Sequence, residues 1–415
     1  MLKNYLKIAI AVLRRRKFFT FISLFGISFT LTILIVITAF IDNMLSANYP
    51  EVNRDRSLYV KSIIEKSSKD GNIRSNPPSF YFLNTYAGSL KSAEKVAIGS
   101  QYSVSTAFVN DKKLSINVKY TNAAWWEVLD FSFLEGKPYD KQDIGNGEKI
   151  AIITESTKKR YFGDAASVIG KCIEVDNIGY RVKGVVKTVP ASMTFSVADM
   201  YVPYTASNGN YKDESLHGDY SAIILASSKA DLSSVKDEFR QRVAAIKTND
   251  KQYDQLSCNA DSYLESYTRD LLGDGDDSGV TKLSIIAGVL LLIFMLLPTL
   301  NLVNINVSRI LERSSEIGVR KAFGASSLTL VGQFIVENII LTILGGVLSV
   351  VLAFFVLQAL NNSQLLPDTT LHINFITLFY SFLACMLFGF ISGVYPAWRM
   401  SRLNIISALK KIKVK

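Results

Sequence analysis

Arg313-Ser-Ser-Glu-Ile-Gly-Val-Arg-Lys-Ala-Phe-Gly-Ala-Ser326 is a charged, helix-forming island set between two long apolar stretches. Glu316 opens a short predicted helix, where its carboxylate meets the positive end of the helix dipole, and it stands four residues before Arg320, the favoured order for an ion pair on one face. Arg320 and Lys321 fall in the last turn, and Gly324 supplies a stop. Val319 and Phe323 give the segment a small apolar face. A helix this short is marginal in water, since isolated helices below roughly 12 to 15 residues rarely persist. Its sequence therefore calls for something that holds it.

The flanking sequence says where the island lies. Four stretches are free of charge and long enough to cross a bilayer, Phe18 to Phe40, Leu283 to Val307, Asn338 to Leu360 and Phe375 to Tyr395. A crossing helix needs roughly 20 such residues. The first stretch is too long, and too far from any small-residue cleavage site, to read as a cleaved signal peptide. The chain of 415 residues, 49% hydrophobic, is thus predicted to be an integral membrane protein with four spans.

Charge sets the orientation. Lys3, Lys7, Arg14, Arg15, Arg16 and Lys17 precede the first span; Arg309, Arg313, Arg320 and Lys321 surround the island; Arg399, Arg402, Lys410, Lys411, Lys413 and Lys415 follow the fourth. Only Glu312 and Glu316 oppose them, so these segments account for more than the whole formal charge of +10. By the positive-inside rule they lie on the cytoplasmic side, which places both termini there and residues 42–281 outside. The basic balance reports topology and contact with anionic lipid, and no nucleic acid is expected as a partner.

The outer segment mixes strand and helix patterns. Ser57 to Ile64 alternates as a strand, Ser103 to Asn110 with Lys113 to Tyr120 reads as a hairpin around Asn110-Asp111, and Cys172 to Val175 with Tyr180 to Val189 reads as another around Asp176-Asn177. Leu232, Val235, Phe239, Val243 and Ile246 recur at helical spacing. Gly273-Asp-Gly-Asp-Asp-Ser-Gly279 reads as a hydrated linker. The fold class is therefore an α-helical membrane domain of four transmembrane helices with a large α+β extracytoplasmic domain inserted between spans 1 and 2.

Three regions together resemble the MacB/FtsX family of ABC transporter permeases, the mechanotransmission or type VII systems. The first is Asn4-Tyr-Leu-Lys-Ile-Ala-Ile-Ala-Val-Leu-Arg-Arg-Arg-Lys17, followed by a span containing Gly26. The second comprises Thr121-Asn-Ala-Ala-Trp-Trp-Glu-Val-Leu-Asp-Phe131, Phe133-Leu-Glu-Gly136, Tyr161-Phe-Gly163, Ile169-Gly-Lys171 and Tyr180-Arg-Val-Lys-Gly-Val-Val186, which resemble the family's periplasmic core domain. The third runs from Pro298-Thr-Leu-Asn-Leu302 through the island and Glu337-Asn338 to Leu344-Gly-Gly346, closing with Ser392-Gly-Val-Tyr-Pro-Ala-Trp-Arg399 and Ser407-Ala-Leu-Lys410. Residues 206–262 carry no part of the resemblance.

The resemblance implies an organisation. Residues 1–17 form a cytoplasmic amphipathic helix, 18–41 the first span, 42–281 an extracytoplasmic MacB-like core domain of two subdomains and 283–307 the second span. Residues 308–327 form the cytoplasmic loop, 328–360 an interfacial segment and third span, 361–373 a short outer loop, 374–395 the fourth span and 396–415 a basic tail. It also implies a dimer of permease chains, like or unlike, that grips a separate ABC ATPase through a coupling helix carrying Arg313, Ser315, Glu316, Ile317, Gly318, Arg320, Lys321, Phe323 and Gly324. An ordinary solvated helical loop would show the same charges, but the motif is specific. The sequence contains no Gly-x-x-x-x-Gly-Lys-Ser/Thr phosphate loop, so ATP and Mg are expected on the partner ATPase, with no cofactor on this chain.

Two functions follow from the resemblance. One is export of a peptide, antibiotic or lipidated cargo, with a periplasmic adaptor or outer-membrane component as a further partner. The other is FtsX-like regulation of a cell-wall hydrolase or sensor, or LolC/LolE-like lipoprotein release. Gly26, Pro298, Asn301, Glu337, Gly345 and Gly346 are expected to serve membrane-helix packing: the glycines by close approach, Pro298 and Asn301 at a kink, and Glu337 by contact with interfacial water or a basic neighbour.

Other features carry less chemistry. Cys385 lies in the fourth span, and Cys172 and Cys258 are both external, where a disulfide is permitted; Cys172 is placed in a buried strand, so two buried free thiols are expected. Asp274, Asp276 and Ser278 start like a calcium loop, but Ile285 holds the position that needs Glu, so no metal site is expected. His217 beside Asp219 has no Gly-x-Ser-x-Gly elbow with it, and His372 lies at a span edge, so the chain is not expected to be an enzyme.

Overall fold

The computed structural model describes residues 15, 17–109, 112–207, 211–246, 252–273, 277–312, 319, 323, 326–363, 370–376, 378–384, 386–387 and 390–391. Contacts divide the chain into a helical unit, from residues before Met44 and after Ser284, and an α+β unit built from Met44–Ser284. The longer helices are α1 (Lys17–Leu45), α2 (Glu155–Phe162), α3 (Leu232–Ala244), α4 (Tyr263–Leu272), α5 (Val280–Glu312) and α6 (Ser327–Asn361).

In the helical unit, α1 and the Val331–Asn361 portion of α6 are long and apolar enough to cross a membrane. Helix α5 covers the second predicted span without a break at Pro298. The fourth predicted span is described only in part, as helical turns at 375–376, 378–384, 386–387 and 390–391. Residues 1–14 and 392–415 of the predicted N-terminal helix and tail lie outside the described residues.

The α+β unit is organised by a 10-stranded sheet in which β1 (Ser57–Val60), β12 (Tyr220–Ala226), β4 (Ala93–Ser100), β6 (Lys112–Thr121), β11 (Met200–Pro203), β8 (Ile150–Thr154), β10 (Ile178–Val186) and β7 (Phe133–Gly136) follow one another. Strand β5 (Ser103–Val109) pairs with β6, and β9 (Cys172–Val175) with β10. A separate 3-stranded sheet joins β13 (Gln255–Cys258), β2 (Ile63–Lys66) and β3 (Ile73–Asn76). Both predicted strand pairs are present, and Asn110-Asp111, the predicted turn of the first, lie outside the described residues. Asp176 and Asn177 at φ 50° and 63° make the β9–β10 turn, the left-handed pair that a two-residue hairpin demands.

Alternation along the strands divides the interior. Tyr59, Ala97, Ile223 and Leu225 face one core with Trp125, Tyr201 and Tyr263. Their neighbours Leu58, Val60, Val96, Ile98 and Ile224 face a second core. Helix α3 closes that second core with Val235, Phe239 and Val243, the residues its spacing marked in the sequence. Residues 206–262, which carried no part of the resemblance read from the sequence, supply β12, the strand next to the edge strand β1, and the helix that covers it.

Two expectations need correction. Ser57 to Ile64 is not one strand: it breaks at Lys61-Ser62, and β1 and β2 pair in different sheets. Cys172 is exposed, because its β9 side chain points outward while Ile173 and Val175 point in; Cys258 is buried, and both thiols are free. The described ends of the Gly273–Gly279 segment are tied down: Arg269 donates to the Asp277 carbonyl at 3.4 Å, Lys282 pairs with Asp277 at 3.0 Å, and Lys282 donates to the Leu272 carbonyl at 3.0 Å. Residues 274–276 lie outside the described residues. Gly279, at φ +76° with the Leu272 carbonyl carbon 2.7 Å from where a Cβ would sit, has no room for a side chain.

Candidate coupling and transmission site

Of the predicted coupling residues, Arg313, Ser315, Glu316, Ile317, Gly318, Arg320, Lys321 and Gly324 lie outside the described residues. Val319 and Phe323 are described, and the Phe323 amide donates to the Val319 carbonyl at 3.0 Å, one helical turn. Both are exposed, Phe323 at 88%.

The packing residues are better defined. A Cβ on Gly345 would lie 2.6 Å from Ile27 Cγ2 of α1, and a Cβ on Gly346 would lie 2.7 Å from the ring of Phe382. The glycine pair therefore lets α6 approach α1 on one side and the fourth predicted span on the other, the use small residues have between membrane helices. Ile27, Leu31 and Leu341 form the buried seam beside it. Thr32 Oγ1 donates to the Ser28 carbonyl at 2.7 Å and reaches the Ser349 carbonyl of α6 at 3.3 Å. Gly26 is part of the same helix, and its carbonyl accepts from Thr30 Oγ1 at 2.9 Å.

Glu337 is buried, at 1% exposure, and accepts a hydrogen bond from Gln333 Nε2 at 3.1 Å, one turn earlier on α6. One partner is thus an amide on its own helix. At the other end of the unit, Asn361 Nδ2 donates to the Leu371 carbonyl at 3.0 Å and Asn374 Nδ2 to Asp42 Oδ1 at 3.0 Å. The side chains of Pro298 and Asn301 lie outside the described residues. We expect Gly345→Leu to force α1 and α6 apart and to cost about 1–3 kcal/mol. The loss should appear as a lower melting temperature of the detergent-solubilised chain, and an unchanged melt would refute the close approach.

The α+β unit holds a second, buried polar centre that the sequence did not single out. Arg54 Nε donates to Glu51 Oε2 at 2.9 Å, with the two side chains 4% and 1% exposed. Arg54 Nη1 donates to the carbonyls of Met44 and Ser46 at 2.8 and 2.7 Å, and Nη2 to Met193 Sδ at 2.9 Å. The guanidinium lies 3.5 Å from the centroid of the Tyr263 ring. Glu51 accepts from Ser196 Oγ at 2.6 Å and from Tyr59 OH at 3.3 Å. Burial, reinforced by Glu51, pushes the Tyr59 hydroxyl well above its ordinary value, so it stays a donor.

Lys119 is the third charge-bearing group in this region, 2% exposed on β6, with Nζ donating to the Ser100 carbonyl at 2.7 Å. Burial pulls it down to about 7, against an upward pull from Glu51. Its Nζ lies 5.7 Å from the centroid of the Trp125 ring, and that ring sits 2.5 Å from where a Cβ on Gly99 would be. The only sequence trace of the pair was a Glu and an Arg three apart just after a span, and nothing marked Lys119.

His217 does not face Asp219 as a catalytic pair would need. Its Nε2 meets Glu65 Oε2 at 2.9 Å, the same oxygen that Arg74 Nη2 holds at 2.6 Å. That arrangement ties the loop before β12 to β2 and β3, and among the described residues no cluster of His, Cys, Asp and Glu could hold a metal ion.

A helical unit with two membrane-length helices and a separate mixed-sheet α+β unit fit a permease domain and a periplasmic core domain. Residues 20–242 match the MacB-like periplasmic core domain family and residues 288–405 the FtsX-like permease C-terminal family. The chain belongs to the MacB/FtsX family of ABC transporter permeases. It is 28% identical over 281 residues to the macrolide export ATP-binding/permease protein MacB of Campylobacter jejuni, covering 66% of this chain and 41% of that protein. It is 24% identical over 350 residues to the ABC transporter permease YknZ of Bacillus subtilis, covering 82% of this chain and 83% of that one. The chain thus spans about two fifths of the length of the MacB relatives it matches, 41% for the Campylobacter protein. Among solved structures, a domain of a permease protein from Porphyromonas gingivalis aligns with a TM-score of 0.41 at 16% identity, covering 52% of this chain and 92% of that one.

Proposed function

We propose that this chain is the transmembrane subunit of an ABC transporter whose ATPase is a separate protein. It converts ATP hydrolysis by that partner into movement of its external domain, and it does so in a bacterial inner membrane with four spans, both termini cytoplasmic and Met44–Ser284 periplasmic. The observation that carries the reading is the presence of both family regions on a chain whose match covers 83% of the permease YknZ. ATP and Mg bind the partner, a second permease chain completes the dimer, and residues 313–324 are the coupling helix. Export of a peptide, antibiotic or lipidated cargo is the favoured outcome of the motion, because the relatives with MacB-like core domains are named for macrolide and pyoverdine export.

The test is purification of the tagged chain from its native membrane in mild detergent, followed by identification of what accompanies it in stoichiometric amount. A phosphate-loop ATPase is expected, and the double variant Glu316→Ala with Arg320→Ala is expected to lose it by at least about tenfold in affinity. A dimeric chain with no ATPase would overturn the reading. A cell-wall hydrolase in place of an outer-membrane companion would turn export into regulation.

A further inference from the structure

The α+β unit has two chain connections, residues 44–54 at its start and α4 with the turn to Lys282 at its end, and both meet at one side chain. Arg54 reaches the first through the Met44 and Ser46 carbonyls, which lie at the last turn of α1 and just past it and belong to the α+β unit. It reaches the second through the face of Tyr263, the first residue of α4. Glu51 and the hydroxyl of Tyr59 join this pair to β1, and Ser196 and Met193 join it to the loop between β10 and β11. From Tyr263 the connection is continuous: Tyr263 and Tyr267 hydroxyls lie 3.2 Å apart, Tyr267 bonds Thr194, and Arg269 grips Asp261 at 2.6 and 2.8 Å while donating to the Asp277 carbonyl.

A guanidinium with its planar fork filled in this way has little freedom. Its donors are fixed by a carboxylate, two helix-end carbonyls and a thioether, and its face by a ring, all out of water. Lysine in its place could keep one ion pair but not the fork, because it is a point charge on a flexible stem. Helix-end carbonyls otherwise satisfied by water are here held by a buried cation, the favoured charge at that end of the dipole.

We infer that Arg54 is a positioning residue that locks the two chain connections of the external domain to a common sheet edge, so that displacement of either connection moves β1 and its neighbours as one body. This rests on the proposed function, since the lock has mechanical meaning only if a force arrives from the membrane side. Arg54 itself touches neither ATP nor cargo.

The experiment uses the whole chain with its co-purifying ATPase in lipid nanodiscs and follows amide hydrogen exchange of the α+β unit with and without ATP and Mg. The wild type should change exchange in β1, β12 and α4 on nucleotide addition. Arg54→Lys should keep the ATP hydrolysis rate and the nucleotide-free protection of β12, while the nucleotide-dependent change in β1 and β12 falls at least about fivefold. A merely structural residue would alter protection without nucleotide and leave the response in proportion. If Arg54→Lys lowers nucleotide-free protection of β12, Tyr263→Leu replaces it, cutting the stack to α4 while leaving the Glu51 pair, with the same result expected. A full response in the variant overturns the lock alone. A wild type that hydrolyses ATP with no change in the external domain overturns the proposed function and the lock with it.

Discussion

Glu51→Ala is expected to destabilise the α+β unit by about 3–5 kcal/mol, the cost of leaving a buried charge without its partner. Glu51 is 2% exposed and Arg54 7%, so water cannot take over the lost contact. The substitution also strips the Ser196 and Tyr59 hydroxyls of their acceptor, each an added penalty of about 1–3 kcal/mol where no new partner forms. Glu51→Gln separates these effects in large part: with its amide oxygen in the place of Oε2 it still accepts from Arg54 Nε and the Tyr59 hydroxyl, and its NH2 donates to a rotated Ser196 hydroxyl, so mainly the charge is lost, at roughly half the cost. Denaturant unfolding of the detergent-solubilised chain, followed by fluorescence of Trp125 and Trp126, reports on this core directly because Trp125 lies in it and Trp126 packs against it. Equal stability of wild type and Glu51→Ala would mean the pair is solvated and the joint does not exist.

The same centre shows where sequence reading works and where it stops. Spacing found α3, because Val235, Phe239 and Val243 obey a helical period that only a buried face produces. Asp176 and Asn177 announced their turn, because few other residues tolerate positive φ at low cost. Alternation ran Ser57 to Ile64 together, because both halves are strands and the exchange of partners at Lys61-Ser62 is a tertiary event that leaves no local pattern. Cys172 was misplaced for a related reason: a strand's period says which residues share a face, but which face is inward is decided by what packs there, and Ile173 and Val175 take it.

Charged residues in a core are the hardest to read. Glu51, Arg54 and Lys119 look like any surface charges, and burial of such groups is rare enough that exposure is the default expectation. Gly345 and Gly346 stood out because glycine is costly inside a helix and is kept there for close approach, which Ile27 and Phe382 now make explicit. The island at 313–326 was legible as a class of segment through its charges and motif, not through any fold it could adopt alone.

Lys119→Met should stabilise the chain, and the gain should depend on pH in a defined sense. Burial holds the Lys119 ammonium at about 7 against an ordinary 10.5. Between those values the unfolded chain binds a proton that the folded chain does not, so stability rises with pH across that window and the penalty is full below it. The gross penalty below pH 7 is on the order of 5 kcal/mol at about 1.4 kcal/mol per unit. Methionine removes it with a flexible unbranched side chain of similar length, but it leaves the Ser100 carbonyl without its donor, so the net gain at neutral pH is about 2 kcal/mol. At pH 10.5 the advantage should vanish and the variant should be the less stable chain. Tyr49 and Tyr220, each raised to about 12 by burial, also lower stability at high pH, but they do so equally in both chains. The difference between the two melting curves from pH 6 to 10.5 therefore isolates Lys119: a difference that shrinks and reverses supports a lysine buried without a counter-ion in contact, and a constant difference would place its ammonium in water.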